Sequence, residues 1–158
     1  MKKIFSLLLV FVMIFSLAAC SNNEVNVVQM SNPWQECETI EAAETLTGFP
    51  FDSIKSAEIN SISTMITDTT KIIQAVFFDG ENEITIRKVN DLGDYSGDYN
   101  IYENEEVVLK DDIDIIYKGN GNTYSLVIWE KDAYSYSISC CEPVEKEILE
   151  SYVNVIFE

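Results

Sequence analysis

Three aspartates, Asp91, Asp94 and Asp98, fall within the ten residues DLGDYSGDYN, among two glycines, a serine and an asparagine. Carboxylate, hydroxyl and amide oxygens on a glycine-containing turn are the donors calcium prefers. The spacing of three and then four lacks the alternate-position order of an EF-hand. The same residues also build Asp-Gly turns with solvated carboxylates. A second acidic group, Asp111, Asp112 and Asp114, sits where strand alternation turns Asp112 and Asp114 outward to solvent. Facing carboxylates can hydrolyse glycosides, but with 27 acidic residues in the chain no pair stands out. There is no histidine. That removes the commonest general base and metal ligand and excludes Ser-His and Cys-His nucleophile pairs.

Cys37, Cys140 and Cys141 lie in the body of the chain. Adjacent cysteines on a strand point to opposite faces and pair poorly with each other. Three readings stay open: buried free thiols, a Cys37 bridge to Cys140 or Cys141, and a three-thiolate metal site. Strand parity favours Cys140 as the partner, on the inward face. No CxxC spacing supports a redox or zinc-ribbon motif. Trp34, Trp129, Tyr95, Tyr99 and Tyr102 suit either core packing or an aromatic binding patch.

The remaining candidate is Cys20. Lys2 and Lys3 precede an apolar run from Ile4 to Ala19, broken only by Ser6 and Ser16. The run is shorter than the roughly 20 residues of a membrane-spanning helix and has the layout of a cleaved secretory leader. Leu17-Ala18-Ala19-Cys20 resembles the lipobox of bacterial lipoproteins. Small residues before the cut fit a narrow peptidase cleft, and the thiol after it takes a diacylglyceryl group. Residues 1–19 are thus expected to be a signal peptide. Cys20 is expected to be the lipidated N-terminus, held at the outer face of the cell membrane, since two acyl chains suffice for stable anchoring. Residues 20–32 read as a polar tether with a reach of about 19 Å, and residues 33–158 as a single domain.

Charge narrows the partners. Lys2 and Lys3 lie in the leader, so eight basic residues face 27 acidic ones from Cys20 onward, a net charge of −19. Nucleic acid and anionic lipid both need a basic surface. Membrane contact is therefore expected through the lipid anchor, with an envelope protein or other cationic species as partner. No cofactor is implied. Eight Tyr, eight Phe and two Trp argue for a packed core.

These residues need a scaffold. Thr39 to Gly48 reads as a short helix, with Thr39 as N-cap, Gly48 just past its end, and Ile40, Ala43 and Leu46 as its apolar stripe. Beyond it the period falls to two. Ser56–Ile66 is a weak strand or strand pair, and Lys71–Phe78, apolar on both faces, a central strand. Glu83–Val89 points Ile84 and Ile86 inward and Thr85 and Arg87 outward. Glu105–Lys110, Asp112–Lys118 and Thr123–Glu130 follow, separated by Asp111-Asp112 and by Gly119-Asn120-Gly121-Asn122. Tyr134–Cys140 sets Tyr134, Tyr136, Ile138 and Cys140 on one face and serines on the other. Pro143 suits the first turn of a final helix with Ile148, Leu149, Tyr152, Val153 and Ile156 on its apolar face. The expected fold is α+β: an antiparallel meander sheet of about six strands with an N-terminal and a C-terminal helix.

Several blocks together resemble a family of short, uncharacterised lipoproteins of Gram-positive anaerobes, built on a domain of unknown function. They are Asn32-Pro33-Trp34-Gln35-Glu36-Cys37, Glu41-Ala42-Ala43 with Gly48-Phe49, Glu83 to Lys88, Ser96-Gly97-Asp98-Tyr99-Asn100, Lys118-Gly119, Trp129 and Tyr134 to Ile138. The chain departs from that pattern at Asp94-Tyr95 and Cys140-Cys141. The resemblance implies a lipoprotein with one α+β domain and lends no activity. The sequence thus predicts a non-enzymatic, membrane-anchored binding module. The alternatives are calcium binding through Asp91, Asp94 and Asp98, and a carboxylate-based hydrolase.

Overall fold

The computed structural model describes residues 32–51 and 58–157, which hold two helices and one antiparallel sheet of eight strands. The strands are β1 (Trp34–Cys37), β2 (Ile59–Ile66), β3 (Lys71–Asp79), β4 (Asn82–Val89), β5 (Asn104–Lys110), β6 (Ile113–Asn120), β7 (Thr123–Lys131) and β8 (Tyr134–Val144). The helices are α1 (Ile40–Thr47) and α2 (Lys146–Phe157). The α+β class holds, with eight strands where about six were expected. Seven of the eight match segments read from the sequence; the one not read is β1, whose WQEC has no apolar alternation and whose pairing with β2 is tertiary. Residues 56 and 57 of the expected Ser56–Ile66 strand lie outside the described residues.

The sheet order is β1-β2-β3-β4-β8-β7-β6-β5. It corrects the single meander to two four-stranded meanders joined where β4 pairs with β8. After β4 the chain crosses to the far edge before starting β5, so residues 90–103 must traverse the sheet.

One face carries the core. Successive ladders align Cys37, Ile62, Ala75, Ile86, Ile138, Val127 and Tyr117 across it. Ala43 of α1 and Leu149 and Val153 of α2 join this buried cluster, placing both helices on that face. Thr39 caps α1 by accepting from the Ala42 N–H at 3.2 Å, and Gly48 ends it with φ 84°. Ala43 and Thr47 are its buried residues, while Leu46 of the expected stripe is exposed. Trp129 stacks on Tyr136, ring centroids 5.1 Å apart and planes 3° from parallel.

The Asp111-Asp112 hairpin is as the sequence suggests, with both φ positive as a two-residue type I′ turn requires. The Gly119 to Asn122 turn is tighter than expected, because β6 runs on to Asn120 and leaves only Gly121-Asn122 as the loop. Pro143 does not open the last helix. It lies in β8 where the β7–β8 register shifts, a position that needs no ladder N–H. The Cys37–Cys140 bridge is also corrected: both thiols are free. They sit on β1 and β8, four strand positions apart. At 4.7–4.9 Å per position that is roughly 19 Å, far beyond the ~7 Å limit for bridging Cα atoms.

Candidate functional site

The other face of the sheet is polar at its centre. The ladders bring Gln74, Arg87 and Ser137 into one row, and Val89 and Ser135 into the next. Strand alternation alone would leave these side chains in water. Instead Ser135 and Ser137 are buried, because the 90–103 segment lies over them as a strap.

Ser135 and Arg87 hold the strap down at the centre of the sheet. Ser135 Oγ donates to the Asp91 carbonyl at 2.7 Å and accepts from the Gly93 N–H at 2.9 Å. Arg87, the single arginine of the chain, donates through Nε to Gln74 Oε1 at 2.8 Å. Its Nη1 donates to the carbonyls of Tyr95, at 3.2 Å, and Ser96. The guanidinium also lies 5.2 Å from the Trp34 ring centroid. Burial pulls its pKa below the usual arginine value, opposed by Tyr99. One planar, multi-donor cation thus ties β1, β3 and the strap to β4, which a lysine could not do.

The three candidate aspartates shape this strap, each separately. Asp91 accepts from the Leu92 N–H at 2.9 Å and from the Tyr95 hydroxyl. Asp94 Oδ1 accepts from both the N–H and the hydroxyl of Ser96, at 3.0 and 2.6 Å. Its Oδ2 pairs with Lys118 of β6 at 3.3 Å. Asp98 accepts from the Asn100 N–H at 2.8 Å and from the Tyr102 hydroxyl. Asp94 and Asp98 form Asx turns, in which a carboxylate takes the backbone N–H two residues on, whereas Asp91 takes that of the next residue. Among the described residues no three His, Cys, Asp or Glu side chains gather where a metal ion would sit.

Burial pushes Asp94 upward, but the Ser96 hydroxyl and N–H and the Lys118 ammonium outweigh it and leave its pKa lowered. A general acid needs the opposite. Ser96 donates its hydroxyl proton to the Asp94 carboxylate rather than to an imidazole. Cys140 faces the core, where burial pushes its thiol up to about 12, against thiolate chemistry. Cys141 is exposed and Cys37 half-buried. Asp111, Asp112 and Asp114 are exposed, Asp114 by alternation along β6 and the other two because they form the turn before it. Cys20 lies outside the described residues.

Two grooves flank the strap, of about 550 and 520 Å³, and share Arg87, Gly97, Asp98 and Tyr99 as walls. A third, of about 440 Å³, lies towards β6 and β7 between Asp94, Asp114, Ile116 and Ile128. The strap's outer side carries Tyr99 and Ile101, 95% and 96% exposed. Of the aromatic candidates, Trp129 is core, Trp34 is the platform under Arg87, and Tyr95 and Tyr102 cap strap aspartates. Only Tyr99 is free to meet a ligand.

Sequence reading missed Arg87, Ser135, Gln74 and Lys118 as a set. The signal available was weak: a lone arginine on the outward face of a strand next to a Gly-Asp loop. Lys88 was missed too. By parity it points inward, and it is buried between the rings of Tyr134 and Tyr136. Comparison with family models, with characterised proteins and with solved structures finds no match to this chain.

Proposed function

We propose that this chain is a lipoprotein anchored through Cys20 to the outer face of the cell membrane, and that its sheet domain is a binding module that uses the strap. The leader order of basic pair, apolar run, small residues and cysteine supports the anchor. The observation that carries the binding role is the near-complete exposure of Tyr99 and Ile101 on a loop otherwise fixed by side-chain hydrogen bonds. An aromatic and a branched aliphatic residue held rigidly in water resemble an interface hot spot, where little ordering entropy is lost on binding. The surrounding acids favour a cationic partner segment in the envelope. Neither calcium binding nor carboxylate hydrolysis draws support from an observation of this kind.

Two experiments separate the parts of this reading. Cys20→Ala should abolish labelling by radioactive palmitate; labelling that persists sinks the anchor. A photo-crosslinking residue at Tyr99 should form one discrete adduct in intact cells, while the same residue at Glu81 forms none. Equal patterns from the two sites would sink the strap as the binding surface.

A further inference from the structure

Strand β5 ends the sheet, and its outer edge is open among the described residues. Of the devices that blunt an exposed edge, short length, proline, a bulge and charged side chains, strand β5 carries only the charges of Glu105, Glu106 and Lys110, and its backbone is not otherwise blunted. The opposite edge is: β1 has four residues and follows Pro33. Strand β5 has seven residues, no proline and an unbroken ladder with β6, whereas the β2–β3, β6–β7 and β7–β8 ladders each carry a register shift. Its side chains Val107 and Leu109 are 55% and 67% exposed.

We propose that this edge pairs with a second copy of itself, antiparallel about a two-fold axis, continuing the sheet from one chain into the next. The residue pattern of β5 selects both partner and register. Paired residues must share a face, so registers differ by steps that keep odd positions opposite odd and even opposite even. Centred on Val108, the pairing sets Val107 opposite Leu109 twice and Glu106 opposite Lys110 twice, with Val108 opposite its own copy. Apolar then meets apolar on one face and opposite charges meet on the other. The neighbouring registers fail. Centring on Leu109 sets Val108 against Lys110, and centring on Val107 sets Glu105 against Leu109 and Glu106 against Val108; one step further, centring on Glu106 stacks two carboxylates. The pairing stops after Lys110 because Asp111 turns the chain away with φ 52°. Such a contact is isologous and closes at two copies. It depends on neither the lipid anchor nor the strap, so the Proposed function can fail without it.

The test uses two differently tagged copies of the full chain, co-expressed, solubilised in detergent and recovered through one tag. Wild-type copies should co-purify. Leu109→Glu, at a position already mostly in water, should lower recovery about tenfold by placing a carboxylate against Val107. Glu106→Lys paired with itself, or Lys110→Glu paired with itself, should fail likewise, since each sets like charges opposite. Glu106→Lys mixed with Lys110→Glu restores opposite charges at both ends and should recover wild-type pairing. The like-charge pairs also control for two chains sharing a micelle. No wild-type co-purification would overturn the proposal, as would a mixed pair no better than the like pairs, or Leu109→Glu recovered as well as wild type. Leu109→Glu keeps the test intact if Glu106→Lys, which gives up its intramolecular partner Lys146, fails to fold.

Discussion

Gly97 lies against the guanidinium of Arg87 so closely that a β-carbon there would overlap Nη1. Its φ of 70° disfavours any other residue as well. A flexible arginine could swing aside, but this one is held by Gln74 on one side and by the carbonyls of Tyr95 and Ser96 on the other. Gly97→Ala should therefore lift the strap and destabilise the domain by about 1–3 kcal/mol. Chemical denaturation of the two proteins checks this, and equal midpoints would mean that the strap is not pinned as described.

Arg87 itself should matter more. Arg87→Ala leaves two strap carbonyls and the Gln74 amide oxygen without their donor, at a cost of about 3 kcal/mol. Arg87→Lys should rescue little, since one ammonium cannot reach both Gln74 and the strap. Limited proteolysis of either variant should cut first between residues 90 and 103, where the wild type resists.

The strap should loosen in acid. The Tyr95 hydroxyl and Leu92 N–H hold Asp91 below the usual aspartate value of 3.8, and Asp94 is lowered by Ser96 and Lys118 against its own burial. A carboxylate depressed in the folded state contributes stability that is complete above its unfolded pKa and lost as pH falls through its folded one. Protection factors of the 90–103 amides, corrected for the intrinsic pH dependence of exchange, should fall below pH ~4 while those of β3 and β4 stay high. In Asp94→Asn that acid dependence should shrink.

The legible parts of this protein are those set by local pattern. Alternation in Tyr134–Cys140 and the double-sided apolarity of Lys71–Phe78 specify strands and the buried face on their own. The Asp111-Asp112 turn is likewise written in adjacent residues. The strap was illegible because its anchors are remote in sequence: Ser135 meets Asp91 from 44 residues away, and Lys118 meets Asp94 from 24. Parity correctly turns Arg87 and the serines outward, but cannot say that outward is covered. The same limit hid β1, whose identity as a strand exists only in its pairing with β2. It also made Cys37 and Cys140 look like partners, since sharing a face says nothing about how many strands lie between.

Alkaline pH should destabilise the fold through buried phenols. Burial, then the bond to Asp98, pushes Tyr102 up to about 12, and burial beside Glu150 and Glu106 takes Tyr117 to about 12. A pKa raised on folding gives stability that is complete below the unfolded value of 10 and lost as pH climbs to the folded one. Ultraviolet titration should show these phenolates forming only as the protein unfolds between about pH 10 and 12, and Tyr102→Phe should flatten the strap's share. Phenolates of Tyr102 and Tyr117 that form before unfolding would contradict the burial.

The last hairpin contains a correctable strain. Strands β7 and β8 join through Asp132 and Ala133, with φ of 52° and 66°. Aspartate tolerates that region, but alanine's β-carbon crowds the carbonyl and disfavours it by about 1–2 kcal/mol. Ala133→Gly relieves the crowding and gives back part of the gain by loosening the unfolded chain, for a net stabilisation of about 0.5–1 kcal/mol. That corresponds to a rise in Tm of roughly 2–4 °C for a domain of this size. The reverse change has a matching site. Gly121 turns β6 into β7 at φ 59° with nothing within 4 Å of where a β-carbon would sit, so Gly121→Ala should cost a similar amount through the backbone alone. Thermal melts of the two variants should move in opposite directions by comparable amounts. A fall in both would show that the Ala133 methyl contributes packing that outweighs its backbone strain.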